Sequence, residues 1–387
     1  MRRLLVDVTR TVQAGLHTGI QRVVRRLWHA LYASEEALQL EVLAVMFEGA
    51  QWRDLGCLPS HPLEGSASAQ VTHTPYQGAQ IVPGVGDVLL MADASWYVDP
   101  WPAVDAALEN GAGLVGFVHD MFPLDQPQWF KPELQPRFAW HFEQLAHRAS
   151  LLLTPSCAVQ STVVRHLDRL TRCGKIHAVA QVLCLPLGAN FLQTPGGTPV
   201  DSAHSGAALP SPLTTDIDFV LMVGTVEPRK NHALVLDVFE QLWQQGHLRQ
   251  LVIVGAPGWC SENMQYRLHN HSEQGKRLHW LSHQGDAELH ELYTHARALV
   301  FPSLNEGFGL PLAEAAHVGC PVVCSDIPVL RELAGQWPTY LPLDDMQQWV
   351  DTLGQLPPQK HERAATRTWN AVASELVDLL HVARNVY

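Results

Sequence analysis

The chain has 387 residues, 47% of them apolar and 17% charged, with a formal net charge of −12. That length and composition predict two or three well-packed domains and exclude a disordered chain. The acidic balance argues against a general nucleic-acid partner, and no apolar run reaches the roughly 18 residues of a membrane-spanning helix.

Residues 4–8 read as a short apolar strand. Met1-Arg2-Arg3 resembles the basic start of a signal peptide, but the apolar run stops at Asp7, too soon for a signal h-region. Gly15 to Gly19 form a loop with Thr18 as a candidate N-cap, and residues 20–32 carry helical periodicity. Residues 1–31 hold six arginines (2, 3, 10, 22, 25 and 26) against one acid, Asp7. Arg22, Arg25 and Arg26 have the i, i+3, i+4 spacing of one helix face. The plain reading is a solvated basic face; the functional reading is peripheral contact with an anionic inner-membrane surface or a lipid-linked acceptor.

Further strands are predicted at 87–91, 113–118 and 151–154, with helix-compatible sequence at 132–148. Residues 194–215 are rich in Pro, Gly, Ser and Thr without periodicity and read as a linker. A second alternating series follows. It has strands at 218–223, 250–254, 298–301, 321–324 and 339–341, and helices at 231–245 and from Asp286, as cap, to 296. Residues 363–380 are helical in pattern and contain Trp369. Alternation of strands and helices predicts an α/β fold of two doubly wound, Rossmann-like domains with parallel sheets. The expected organisation is a first domain at 1–193, a linker at 194–215, a second domain at 216–362 and a closing helix at 363–387 that crosses back. Ligands are expected at the carboxyl ends of the strands, in an interdomain cleft. The seven cysteines (57, 157, 173, 184, 260, 320 and 324) are an odd number without C-x-x-C spacing. That favours reduced thiols and a cytoplasmic compartment.

Three motifs carry chemistry. Glu306-Gly-Phe-Gly-Leu-Pro-Leu-Ala-Glu314 follows a predicted strand. Pro311 suits the first turn of a helix, so Glu306 lies on the loop and Glu314 about one turn inside. The N–H groups of Phe308, Gly309 and Leu310 then face the positive end of the helix dipole and form an anion site. Gly224-Thr-Val-Glu227-Pro-Arg229-Lys230-Asn231 follows another strand. Its paired cations suit a diphosphate, and Asn231 is a candidate cap for the next helix. His119-Asp120 ends the predicted strand 113–118, at the edge where such sheets bind ligands. His269 and His271 are the tightest histidine cluster but lack acid or cysteine partners at zinc-site spacing.

The second and first of these motifs, with 77 positions between Arg229 and Glu306, resemble retaining glycosyltransferase family 4, whose fold is GT-B. The resemblance covers the second domain and is weaker in the first. Its context is most similar to bacterial mannosyltransferases of surface-polysaccharide assembly. The resemblance implies transfer of a sugar from a nucleotide diphosphate sugar, with GDP-mannose favoured, to a glycan or lipid-linked acceptor. It implies no cofactor and no essential metal. It implies that Glu314 binds the ribose hydroxyls and that Arg229 and Lys230 hold the diphosphate beside Gly224. Glu306, with Gly307, Phe308 and Gly309, would hold the donor sugar, and Leu310 would add a backbone N–H to the phosphate. His119 would contact the transferred sugar, with Asp120 orienting the ring or the substrate. Gly19 would sit in a glycine loop near the donor, although the usual double glycine is missing. The rival readings are a UDP-sugar transferase of glucosyl, N-acetylglucosaminyl or deoxyhexosyl type, and a sugar-nucleotide-binding protein without turnover. A phosphorylase of this fold would need a pyridoxal phosphate lysine, for which no motif is present.

Overall fold

The computed structural model describes residues 2–14, 19–56, 58, 78–191, 209–210, 213–214, 217–282, 284–357 and 363–384. Gly15, Thr18, Cys57 and most of the predicted linker 194–215 lie outside them. The chain divides into two compact units. One comprises Met1–Pro127, Pro132–Leu187 and Trp369–Tyr387; the other comprises Gln128–Lys131 and Gly188–Thr368.

The first unit holds β1 (Arg3–Asp7), β2 (Glu41–Glu48), β3 (Gln51–Asp54), β4 (Gln80–Ile81), β5 (Val88–Met91), β6 (Gly113–Phe117), β7 (Leu151–Thr154) and β8 (Gln181–Cys184). They form one sheet in the order β4-β3-β2-β1-β5-β6-β7-β8. β1 pairs in parallel with both β2 and β5. The chain therefore winds first to one side of β1 and then to the other, which makes the β1/β5 boundary a topological switch point. The parallel strands β5 and β7 are buried along their whole length, which their unbroken apolar sequence requires. The expectation of a purely parallel sheet fails at one edge, where β3 runs antiparallel to β2 and to β4. Gln51-Trp52-Arg53-Asp54 alternates too briefly to stand out as a strand, and it forms because β2 offers it an edge.

Among the described residues of this unit before Gly188 there are seven α-helices: α1 (Thr9–Ala14), α2 (Gly19–Ala33), α3 (Glu35–Leu38), α4 (Trp101–Glu109), α5 (Phe122–Asp125), α6 (Leu134–Arg148) and α7 (Cys157–Arg172). Ser156 caps α7 by accepting the Val159 N–H at 3.2 Å. Leu5, Leu89, Leu114, Leu152, Phe138 and Phe142 meet in the core. The arginine face on α2 is not the solvated stripe expected from its spacing. Arg26 is 3% exposed, and Arg22 and Arg25 are half-buried.

The second unit holds β9 (Phe219–Val223), β10 (Gln250–Val254), β11 (Leu278–Leu281), β12 (Ala298–Phe301), β13 (Val322–Ser325) and β14 (Thr339–Leu341). They form a six-stranded sheet in the order β11-β10-β9-β12-β13-β14, and every pair is parallel. Here the switch point falls between β9 and β12. The helices are α8 (His232–Gln244), α9 (Glu262–His269), α10 (Asp286–His295), α11 (Leu310–Val318), α12 (Pro328–Ala334) and α13 (Met346–Gly354). Val220, Met222, Leu236, Phe239, Trp243 and Trp349 lie in one apolar cluster. Two predicted caps are corrected. Asp286 is the first residue inside α10; the cap is Gly285, whose N–H is taken by Glu288 Oε2 at 2.8 Å. Asn231 precedes α8 in a left-handed conformation (φ 56°) and makes no side-chain cap bond.

The last helix, α14 (Trp369–Arg384), returns to the first unit, where it packs against α2. Trp369 is fully buried.

Candidate functional site

In the second unit the loops that leave β9 and β12 sit side by side at the switch point. Leu304 N–H donates to Arg229 O at 2.8 Å, and Arg229 Nη1 donates to Asn305 O at 3.0 Å. These bonds join the two sequence motifs into one structure. Arg229 lies 2.7 Å from Glu306 Oε2 through Nη1, and Lys230 Nζ lies 2.5 Å from Glu306 Oε1. Each cation thus takes one oxygen of the same carboxylate. Glu227 completes the cluster, with Oε1 at 2.6 Å from Arg229 Nη2. Glu227, Lys230 and Glu306 are 4%, 8% and 7% exposed.

Two cations and two carboxylates give this cluster no net charge. Burying charges is costly unless they are paired and hydrogen-bonded, and the pairing here is complete. Burial alone would raise the Glu306 pKa, but the charges of Arg229 and Lys230 outweigh it and hold the carboxyl at about 2. Burial pulls the Lys230 pKa down, and Arg229 adds to that, while Glu306 opposes it. Glu306 is therefore ionised at neutral pH and accepts from Lys230 Nζ at 2.5 Å.

Gly224 makes room for this arrangement. Its φ is +154°, and a Cβ there would stand 3.2 Å from Lys230 Cε. The lysine stem therefore passes directly over the end of β9, and Nζ reaches 5.1 Å from the Phe301 ring centroid at the end of β12.

Helix α11 starts as the sequence predicts, with Pro311 in its first turn. Leu312 and Ala313 both donate to Gly309 O, at 3.0 and 3.1 Å. The amides before them precede the intrahelical ladder and sit at the positive end of the dipole. Gly309 has φ +102°, and a Cβ would lie 2.9 Å from Leu330 Cδ2. Only glycine turns the chain into the helix here without strain. Gly307 is half-buried, while Phe308 and Leu310 are buried. Glu314 lies within α11 and is fully buried; Tyr293 Oη on α10 donates to its Oε2 at 3.1 Å. The structure therefore gathers Gly224, Arg229, Lys230 and Glu306 to Leu310 at one sheet edge and sets Glu314 in the adjoining helix.

His119, Asp120 and Gly19 belong to the first unit. His119 follows β6, and its Nε2 lies 2.7 Å from Ala92 O. A carbonyl only accepts, so Nε2 carries the hydrogen and Nδ1 is left as an acceptor. Desolvation lowers the ring's pKa to about 4, against the opposing effect of that hydrogen bond. The ring is neutral at pH 7 and too weak a base to hold a proton there. Asp120 Oδ1 accepts the Phe122 N–H at 3.1 Å and so supports the start of α5. Gly19 opens α2 and is exposed, and a Cβ on it would meet nothing within 4 Å. Nothing in the described structure requires glycine at that position.

The sequence reading missed a buried polar knot at the β1/β5 switch point. Thr9 Oγ1 and Ser95 Oγ donate to Asp7 Oδ1 and Oδ2 at 2.5 and 2.7 Å. Asp93 accepts the N–H groups of Thr11 and Ala94 at 2.5 and 2.7 Å. Burial, and then the charge of Asp7, raise the Asp93 pKa to about 6; burial also raises that of Asp7. A clue was present in the sequence, since Asp7 and Asp93 each end an apolar run. Thr9 and Ala94 are local partners, but Ser95 for Asp7 and Thr11 for Asp93 come from elsewhere in the chain. Tyr293 was missed as a support for the same reason, while Glu227 lies inside the motif, two residues before Arg229. His269 and His271 turn to separate acceptors, Gln265 O and Glu240 Oε1, both at 3.0 Å. The six described cysteines are free thiols, and burial raises Cys320 and Cys324 to about 12.

Residues 210–356 match the family described as Glycosyl transferases group 1. The chain is 32% identical over 98% of its length to the serotype-specific mannosyltransferase WbdA of Escherichia coli, of which it spans 45%. A stretch covering 30% of the chain is 39% identical to O-antigen chain mannosyltransferase B of Escherichia coli, of which it covers 31%. The chain also superposes along its full length on the whole sucrose-phosphate synthase of Thermosynechococcus elongatus, with a TM-score of 0.61 at 17% identity. That likeness establishes the GT-B fold. With both loops of the site inside the matched region, residues 210–356 form a glycosyl transferases group 1 domain.

Proposed function

We propose that the protein transfers a mannosyl residue from GDP-mannose to a hydroxyl of a glycan or lipid-linked acceptor, retaining the anomeric configuration. The observation that carries the reading is the pair Arg229 and Lys230, both locked onto Glu306 beside the start of α11. The similarity to proteins described as mannosyltransferases favours mannose.

The chemistry follows from the residues. A departing diphosphate gains negative charge as the glycosidic bond breaks. Arg229, Lys230 and the amides at the N-terminus of α11 are fixed donors for that charge. These groups take the part that a divalent cation plays in other transferases, so a chelator is expected to leave turnover unchanged. Glu306, held ionised, accepts hydrogen bonds from sugar hydroxyls, and Glu314 accepts them from the ribose. Neutral His119 orients the transferred sugar through Nδ1, and the leaving phosphate takes the acceptor's proton. The proposed place of action is the cytoplasm, with peripheral attachment where a lipid-linked acceptor is held. Among the described residues no helix is long and apolar enough to cross a membrane.

A panel of GDP and UDP sugars tests the donor. Thermal stabilisation by GDP, with hydrolysis or transfer from GDP-mannose, supports the proposal. Stabilisation by UDP alone would make the protein a UDP-sugar transferase instead.

A further inference from the structure

Tyr293 stands outside both sequence motifs, 21 positions before Glu314. Both side chains are fully buried, and α10 packs against α11 where they meet. The tyrosine hydroxyl donates to Glu314 Oε2 at 3.1 Å. Its ring is in turn held in place: Phe191 lies 6.1 Å away at 58°, and Phe191 itself meets the His290 ring edge-on at 5.3 Å and 88°. Burial and this packing restrict the ring that carries the hydroxyl.

We infer that Tyr293 is a positioning residue for nucleotide recognition: it fixes the plane of the Glu314 carboxylate so that the carboxylate can receive the two hydroxyls of a ribose. The inference rests on the proposed role of Glu314 as the ribose ligand.

The physical need is clear. A glutamate side chain has three rotatable bonds, and a binding group must be held to within about 0.5 Å and 10–20° of its working geometry. A vicinal diol makes the strictest demand, because two donors must meet one carboxylate together. A carboxylate has about four lone-pair sites. The tyrosine occupies one of these sites, on Oε2. It also sets the orientation before the nucleotide arrives, which lowers the ordering cost of binding. A tyrosine with a merely structural role would support α11 equally well whatever the ligand carried.

The test is a four-way binding comparison by calorimetry. Wild type and Tyr293→Phe are each titrated with GDP and with 2′,3′-dideoxy-GDP, and the uridine pair is run alongside so that base preference does not decide the outcome. Phenylalanine keeps the ring and removes only the hydroxyl. Wild type is expected to prefer the ribonucleotide by about tenfold or more, as hydrogen bonds to a charged group require. Tyr293→Phe is expected to weaken the ribonucleotide by roughly fivefold to twentyfold and the dideoxynucleotide by less than about twofold. The KM for the donor rises in step, while kcat changes little, because the interaction is equal in ground and transition states. Equal losses for both ligands, or no loss for either, would overturn the inference. If wild type does not distinguish ribo from dideoxy ligands, the role of Glu314 itself fails. Absence of binding to any of the four nucleotides would remove the donor-site reading altogether.

Discussion

Removing the charge of Glu306 leaves Arg229 and Lys230 buried together with only Glu227 to balance them. Breaking a buried ionic cluster from one side costs about 3–5 kcal/mol. Glu306→Gln is therefore expected to lower stability by an amount near the bottom of that range, since Glu227 remains. The variant also predicts a compensation: a nucleoside diphosphate supplies the missing negative charge, so GDP raises its melting temperature more than that of wild type. Equal thermal shifts in the two proteins would show that the diphosphate does not meet these cations. A second single-residue prediction concerns pH. His141 is 7% exposed, and desolvation lowers its pKa to about 4 from an ordinary 6.5. The unfolded chain then binds the proton more readily than the folded one. The stability tied to neutral His141 is complete above pH 6.5 and is lost as pH falls towards 4. By linkage this loss reaches about 2 kcal/mol at pH 5. His141→Phe should flatten the stability curve between pH 7 and 5, whereas an unchanged slope would place the proton elsewhere. At this scale the sequence showed Arg229, Lys230, Glu306 and Glu314, because each lies in a compact motif with a chemical reason for its neighbours. It did not show Tyr293 behind Glu314 or Asp93 beside Asp7. Those partnerships exist only after distant strands and helices are laid together.

Helix α11 owes its working geometry to the turn before it. Gly309 at φ +102° aims the first amides, and a methyl group there would press on Leu330. Gly309→Ala is expected to cost about 2 kcal/mol from backbone strain and overpacking. It should also cut transfer more than tenfold, because the donors of the anion site shift together. A variant that keeps full turnover would separate this turn from catalysis. The closing helix α14 gives a purely structural counterpart. Trp369 is fully buried in a helix that packs on α2. Trp369→Ala should destabilise the protein by about 3–5 kcal/mol, as measured by denaturant unfolding, and a change below about 1 kcal/mol would contradict the packing described. The central strands and helices α2, α6, α8, α10 and α14 were legible because apolar runs and 3.6-residue periodicity survive in a single sequence, whereas α7 was not read. Strands β3 and β4, antiparallel at one edge, were not legible. Edge strands are half-solvated and short, and their pairing is decided by the neighbour, not by their own pattern. The arginine face of α2 misled for a related reason. Helical spacing shows which residues share a face but not what covers it, and here Arg26 lies inside.

At the scale of the molecule, each unit places its chemistry at its own switch point, where adjacent loops diverge and leave room for a ligand. Residues 210–356 are a glycosyl transferases group 1 domain, and the superposition on sucrose-phosphate synthase supports the GT-B fold. The chain spans less than half of the WbdA relative, 45% of its length. The central claim is that the ionic cluster at the second switch point serves transfer of mannose from GDP-mannose. Its most direct test is to incubate the protein with GDP-mannose and a mannose-terminated glycan in the presence of chelator and to read the product linkage by NMR. The account predicts a new mannosyl linkage with the donor's anomeric configuration and an unchanged rate with chelator, abolished in the double variant Arg229→Ala/Lys230→Ala. Inverted configuration, or undiminished transfer by that double variant, would contradict it.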